Sequence, residues 1–566
     1  MKKNVSIVTI FFLIPLSIFS QAPDYLWVKN NGGGYFDNAE LMVVDSFNNI
    51  YVGGEFSSHT LPYSSTTLIN SYTSQPDDYT YDIFLTKYDQ NGNILWAKSA
   101  GGINDDGISS LIVDSIGNIY ITGTYGGSYT GGTLNFTIDS LVFSNADNIG
   151  NLCVAKFNTN GNLIWAKSFE NIGGIVTTDN KGHLYLTGSF SATFNLDSIT
   201  LTNNSTINYT DIYLAQLDTN GNVLWAKSYG DIGSEGPSII SIDKSDNILI
   251  TGHFNSPSLM FDSITLTNNT NNDNIFLTKF NSSGDVLWAN SIVNSNINDV
   301  FSGLTFDQVG NIFISGSFKS QTITFGSNTL YNNSINNNDI FIVNYNSNGT
   351  PIWATSYGDV NDDFPSGVTL DNTGCIYVTG AFYSPKIVFG QDTLFNFNPG
   401  YSDIFISKLS PLGIAIWTKK IGGFYNDYGN DIAIDNTGSV YTIGGFAEIC
   451  EFDSIILANV ANNLHTYDIF LTKIGSTVGL KEVVDDNIFT LFPNPTQERI
   501  FIRKKSIFND ILTLKIFNTS GSLVFHKVLS ENSFSFGVDL SSLTQGVYFL
   551  HLTSNRGNYV VKLIKN

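Results

Sequence analysis

Ile94-Leu95-Trp96-Ala97-Lys98-Ser99 is one of seven related stretches, and every tryptophan of the chain sits in one of them: Trp27, Trp96, Trp165, Trp225, Trp288, Trp353 and Trp417. Successive tryptophans lie 69, 69, 60, 63, 65 and 64 residues apart. Self-similarity at a near-fixed period marks a repeat architecture, and it overrides the domain count that chain length alone would suggest.

The unit between Trp96 and Trp165 shows what repeats. Gly101-Gly102-Ile103-Asn104-Asp105-Asp106-Gly107 follows the tryptophan stretch, then an apolar run, Leu111-Ile112-Val113. Next come Asp114-Ser115-Ile116-Gly117-Asn118 and Ile119-Tyr120-Ile121-Thr122-Gly123. Residues of high strand propensity flank an Asp that can bond its own backbone, so the segment predicts two strands joined by a tight turn. The turn Asp recurs as Asp45, Asp114, Asp179, Asp243, Asp307, Asp371 and Asp435, and a Gly closes each following strand at Gly54, Gly123, Gly188, Gly252, Gly316, Gly380 and Gly444. A longer connection rich in Asn, Ser and Thr comes next, with an apolar centre such as Phe261-Asp262-Ser263-Ile264-Thr265-Leu266 that suggests a small extra hairpin. A third strand, Asp82-Ile83-Phe84-Leu85-Thr86-Lys87 in its cleanest form, is echoed at Asp211, Asp339, Asp403 and Asp468, with Asn151 and Asn274 at the same place. The turn Asp89-Gln90-Asn91-Gly92-Asn93 then leads into the tryptophan strand. It has the first residues of a calcium loop, but the twelfth position of that loop falls in a buried strand where no bidentate Glu stands, so a hairpin turn is the expectation.

Four strands repeated seven times predict an all-β, seven-bladed β-propeller, since each blade is too small to bury both faces alone. The strand around Trp27 has no third strand before it, and Asp468-Ile469-Phe470-Leu471-Thr472-Lys473 has no tryptophan strand after it, so the N-terminal strand is expected to complete the last blade. Trp-x-x-x-x-Gly-Gly followed by Asp-x-x-Gly-Asn-x-Tyr-x-Thr-Gly resembles the bacterial seven-bladed repeat family often called SBBP, over roughly residues 22 to 475. That resemblance implies the fold and an exported protein, and names no activity.

Periodicity stops after Lys473. Expected boundaries are a secretory signal over 1–20, the propeller over 21–475, a linker over 476–486 and a C-terminal domain over 487–566. The last segment alternates as a small β-sandwich of six or seven short strands. It is basic, with Arg499, Arg503, Lys504, Lys505, Lys515, Lys527, Arg556, Lys562 and Lys565 against Glu498, Asp510, Glu531 and Asp539. Its Pro493-Asn494-Pro495, Gly521, Leu543 with Gly546-Val547-Tyr548, and closing Lys562-Leu563-Ile564-Lys565 are similar to the type A C-terminal sorting domain of type IX secretion. The resemblance implies translocation across the outer membrane by that machinery, removal of the domain, and release or attachment at the cell surface.

Lys2 and Lys3, the apolar run Val5 to Phe19 and Ser20-Gln21-Ala22 have the order of a cleavable secretory signal, with an apolar segment too short to span a bilayer. No later stretch predicts a transmembrane segment in the mature protein. A net charge of -22 argues against nucleic acid and anionic membrane as partners. Cys153, Cys375 and Cys450 occupy unrelated repeat positions, so no disulfide framework is expected and burial as small hydrophobes is.

The connections that follow the second and fourth strands emerge on one face. There the loop after each tryptophan carries Asp37, Asp106, Glu235, Asp299, Asp363 and Asp427, and the repeat after Trp165 lacks an acid. Six carboxylates approaching the channel would suit a hard cation such as Ca2+, or cationic ligand groups. The competing expectation is that they cap turns or strand ends. A catalytic site should break the symmetry, since one reaction needs one acid and one base in different environments, and His59, His183, His253, His465 and His526 sit at unrelated positions. The expected function is an exported surface or secreted module binding a glycan or protein. The alternatives are a secreted hydrolase or lyase acting on polysaccharide, and a purely structural surface protein.

Overall fold

The structure is a computed structural model. It describes residues 22–475 apart from 65, 72–79, 127–133, 146–149, 205–208, 270–272, 293–298, 335 and 462–465, and residues 489–565 apart from 493–495, 505–511, 519–522, 530–534 and 555–556. The expected signal over 1–20 and the expected linker over 476–486 fall outside the described residues. The chain divides into two compact units between Ser476 and Thr477.

In the first unit, seven antiparallel sheets each contain a four-stranded blade. In the type repeat the strands Gly107–Val113, Ile119–Tyr125, Asn151–Phe157 and Leu163–Phe169 lie side by side in chain order. The first strand of every blade packs against the first strands of both neighbouring blades, and the strand Asp37–Val44 of the first meets Asp427–Ile434 of the last. The ring is therefore closed, with first strands innermost and tryptophan strands outermost. Its last blade is completed from the other end of the chain, where Trp27 pairs with Lys473 and Val28 with Thr472. No sheet edge is left open at the join, which removes the exposed-edge liability of an unclosed sheet.

Each predicted extra hairpin is present, as in Leu134–Ile138 with Leu141–Asn145. Two of them extend the outer strand of the preceding blade, pairing Thr137 with Gly101 and Cys450 with Gly423. Apolar side chains fill the joints between blades, so that Tyr51 of the first blade shares a core with Ile121 and Phe157 of the second.

The repeated residues have identifiable duties. The Asp114 carboxylate accepts the backbone N–H of Ile116 and Asn118, at 3.1 and 2.8 Å, closing the turn between the first two strands. Asp89 does the same for Asn91 and Asn93, both at 2.8 Å, which makes the calcium-like stretch a hairpin turn. The Gly that closes each second strand lies under a carbonyl of the first strand or its approach: a β-carbon on Gly123 would sit 2.5 Å from the oxygen of Gly107. Only glycine permits that approach.

Four of the tryptophans join blades by hydrogen bonds on the turn side. Trp96 Nε1 donates to the carbonyl of Thr159 in the next blade's last turn, at 3.2 Å, and the indole lies against Gly161 of that turn. Trp165 reaches Thr219, Trp288 reaches Ser347 and Trp353 reaches Pro411 in the same way, at 3.1, 3.2 and 3.2 Å. Trp225 departs from the pattern and donates to Gln216 Oε1 in its own blade, at 2.8 Å.

Residues 489–565 form a sandwich of seven strands in a three-stranded and a four-stranded sheet. Ile500, Ile502 and Val538 of the first sheet share a core with Leu514, Ile516, Leu550 and Leu563 of the second. Cys153 and Cys450 are buried, Cys375 is partly exposed, and all three thiols are free. Among the described residues no helix is long and apolar enough to cross a membrane.

Candidate functional site

The six acids stand at the start of the innermost strands, on the face that carries the long connections. Each is buried. Asp37 accepts the N–H of Gly33 and the Ser58 hydroxyl, both at 2.7 Å. Asp106 accepts Gly102 N–H at 2.6 Å, and Glu235 accepts Asp231 N–H at 3.3 Å and the Ser256 hydroxyl. Asp299 accepts the N–H of Lys319 at 2.6 Å and the Ser320 hydroxyl. Asp363 accepts Asp359 N–H at 3.1 Å and the Ser384 hydroxyl at 2.7 Å, and Asp427 accepts Ala447 N–H at 3.2 Å. Each carboxyl group thus sits in its own socket, tying its loop to the connection that follows the second strand or to its own approach.

Their backbones cross to the preceding blade. The N–H of Asp106 donates to Tyr81 O at 2.7 Å, and Asp37, Glu235, Asp363 and Asp427 repeat the bond to Tyr467, Thr210, Asn338 and Ser402. The acids are thereby brought against a second set of buried carboxyl groups, at the start of the third strands. Asp106 faces Asp82, Glu235 faces Asp211, Asp363 faces Asp339, Asp427 faces Asp403, and Asp37 faces Asp468. Burial pushes Asp37 up to about 6, Asp363 to about 7 and Asp106 to about 8, the last helped by the charge of Asp82. Glu235, Asp299 and Asp427 are raised by burial in the same direction. The six carboxyl groups are held as the capping expectation has it, each by its own loop, and among the described residues no three His, Cys, Asp or Glu side chains come together as a metal would require. The physical reason is local: the loop N–H groups and the serines point into the joint, and the carboxyl groups follow them.

Asp299 differs in bordering an opening. With Ser238, His253, Asp273 and Phe301 it lines a pocket of about 180 Å³. A larger pocket of about 480 Å³ lies among the turns around Trp288, where Lys279 and Asp243 form a buried ion pair at 2.8 Å.

The same face carries a feature that the repeat pattern does not contain. In the sixth blade the connection reads Phe395-Asn396-Phe397-Asn398-Pro399-Gly400-Tyr401, and the next inter-blade loop brings Phe424 and Tyr425 beside it. Phe395, Phe397, Tyr401 and Phe424 are 66, 52, 39 and 53 % exposed. Phe397 and Phe424 have ring centroids 6.5 Å apart, Phe424 and Tyr425 5.5 Å, and Tyr401 and Tyr425 5.4 Å, all edge-to-face.

Hydrogen bonds hold the platform: Phe397 N–H donates to Asp403 at 2.8 Å, Asn396 Nδ2 to the carbonyls of Phe382 and Tyr401 at 3.0 Å, and Asn398 Nδ2 to Phe424 O at 3.0 Å. Lys420 Nζ lies 5.2 Å from the centre of the Phe397 ring and 3.0 Å from Asp403. The scaffold is common to the repeats, since Asn333 N–H makes the Phe397 bond to Asp339 and Asn337 Nδ2 reaches Val360 O. Phe397 and Phe424 are the new rings: Asn333 and Asn204 stand where Phe397 does, and Ile103, Ile232 and Val360 where Phe424 does, whereas Tyr331 and Tyr209 hold the places of Phe395 and Tyr401 in other blades. The signal was in the sequence, as a break in a tract otherwise rich in Asn, Ser and Thr.

Comparison with known proteins places residues 490–566 in the family described as secretion system C-terminal sorting domain. That domain sends the chain to the cell surface or into the medium across the outer membrane, through the type IX machinery. An uncharacterized WD repeat-containing protein of Acanthamoeba polyphaga mimivirus is 25% identical over 509 aligned residues, covering 74% of this chain and 36% of its own length. The chain thus spans about a third of that relative. Among solved structures, a streptogramin B lyase matches with a TM-score of 0.33 at 14% identity, covering 76% of this chain and 99% of its own. The phage phi92 endosialidase matches with a TM-score of 0.37 at 10% identity, covering 96% and 88%.

Proposed function

We propose that the propeller is an exported binding module of the bacterial SBBP type, displayed at the cell surface or released, that captures a glycan or protein ligand on the face carrying the long connections. The observation that carries this reading is the exposed aromatic cluster around Phe397 and Phe424, held by its own hydrogen bonds. Exposed apolar surface costs a secreted protein solubility, and a contiguous patch of it marks an interaction site. A pre-ordered loop loses little conformational freedom on binding. The acids support the ring: a propeller whose inter-blade joints are tied by buried hydrogen bonds presents its loops at fixed spacing.

The sorting domain serves as an address. In this reading it is removed after translocation, and the propeller is left attached at the surface or free in the medium. The test is a screen of the purified propeller against arrays of glycans and of surface proteins, with and without chelator. Saturable binding lost on substitution of the aromatic cluster supports the reading. No saturable ligand of either class would overturn it. The hydrolase or lyase alternative has one local observation in its favour, the pocket that Asp299 shares with His253. Turnover of a polysaccharide abolished by His253→Ala would establish that alternative.

A further inference from the structure

The cluster in the sixth blade specifies a ligand class. We infer that Phe395, Phe397, Tyr401 and Phe424 form a subsite for an uncharged pyranose glycan, a proposal that rests on the binding-module reading and narrows it.

Size comes first. At about 200 Å² for a whole aromatic side chain, the exposed fractions of the four rings amount to roughly 400 Å². A stable protein interface buries about 800 Å² on each partner. Half that area suits a ligand of a few sugar rings. It also falls short of the fully buried centre that a protein partner's anchoring side chains need.

Shape agrees. Neighbouring planes meet at 76, 70 and 78°, so the rings form steps with several faces and edges open, not one flat wall. A pyranose presents C–H groups on its faces and hydroxyls around its rim. Its faces lie against aromatic rings, and its rim meets polar neighbours. Asn398 and Asn426 stand partly exposed beside the rings, on the two loops that build the platform.

Charge disfavours the polyanionic glycans. Lys420 is the ammonium against the rings, and it is already paired with Asp403. Asp359, Asp362 and Asp392 belong to the same and adjoining loops, and the whole chain carries -22. A uronate or sulfated chain would meet the repulsion of that acidic excess, which Lys386, across the hairpin from Phe395, offsets only in part.

The inference also explains why the Phe397 and Phe424 pair occurs once. A ligand of a few sugars needs one platform, and no other repeat carries a ring at the place of Phe397 or of Phe424.

The experiment uses the exported full-length protein, with hexasaccharides of glucose, mannose and N-acetylglucosamine as uncharged probes and an oligouronate as the anionic one, read by calorimetry. At least one uncharged hexasaccharide binds, the oligouronate does not, and the Phe397→Ala, Phe424→Ala double variant weakens binding ten-fold or more. Ile103→Ala and Val360→Ala, at the matching positions of other joints, leave the affinity unchanged. Phe424→Ile installs the residue found in other repeats, and it keeps the test open should the alanine variant lose its native melt. Glycan binding unaltered by these substitutions, or binding of the oligouronate alone, overturns the inference. Protein ligands captured through the same rings, with no glycan bound, overturn the inference and leave the binding-module reading standing. Absence of any ligand overturns both.

Discussion

Asp82 lays its carboxyl group onto the α-carbon of Gly101, in the space that a β-carbon on Gly101 would fill. The same contact joins Asp211 to Gly230, Asp339 to Gly358, Asp403 to Gly422 and Asp468 to Gly32. In each case the glycine stands five residues after a tryptophan. Where the third strand begins instead with Asn151 or Asn274, the residue five after the tryptophan is Glu170 or Val293.

Gly101→Ala therefore destabilises the propeller by about 1–3 kcal/mol, the usual cost of forcing a methyl into a packed site. Denaturant unfolding checks this. Combined with Asp82→Ser, which shortens the opposing side chain, the loss is less than the sum of the two single effects, because the residues share one contact.

The paired carboxyl groups make stability fall as pH rises. Asp82 is pushed up to about 7 and Asp106 to about 8, chiefly by burial. Above pH 4 the unfolded chain releases these protons while the folded chain keeps them. The folded state is therefore favoured less and less as the pH rises through about 7 and then about 8, and the loss is complete only above pH 8. The melting temperature should decline from pH 5 to pH 8. Asp106→Asn keeps an acceptor for Gly102 and offers an N–H to Asp82, so it raises the melting temperature at pH 8 and flattens the decline. Millimolar calcium leaves the wild-type melt unchanged, since each carboxyl group is engaged in its own joint. A calcium-dependent rise that Asp106→Asn abolishes would restore the cation site.

Deleting residues 22–32 removes the outer strand of the last blade. The partner strand from Ile469 to Ile474 is left as an open edge. Loss of the cooperative thermal transition is expected, and calorimetry on the deletion variant decides it.

Truncation after Ser476 separates the two compact units. The propeller should melt within a degree or two of the full chain, yet accumulate in the periplasm of the native host. Immunodetection of normal amounts at the cell surface would contradict the address role of residues 490–566.

Much of the ring could be read from the chain because its signals are local. The turn at Asp114 and the glycine at 123 lie within ten residues of the strands they serve. The orientation of the acids could not, since a carboxylate at the head of an inner strand reads the same whether it faces the axis or the joint. Its direction depends on Ser58, Ser256, Ser320 and Ser384 in the following connection, which only folding brings within reach. The partnership of Asp82 with Gly101 was present as two separate motifs whose link runs through a hairpin. The aromatic platform was hidden for the opposite reason: reading for what repeats discards what occurs once.

The pairing of Val28 with Thr472 also sets a timetable. The strand made first must wait for the strand made last in the ring, about 440 residues later, before either has its lasting neighbour. Long separation adds little to the equilibrium cost, because closure entropy grows only as the logarithm of length. Kinetically it matters more, since distant pairings form late and leave edges bare in the meantime. During export the two unmatched blades are therefore the vulnerable species, and a chaperone or protease of the periplasm would meet them before the finished ring exists.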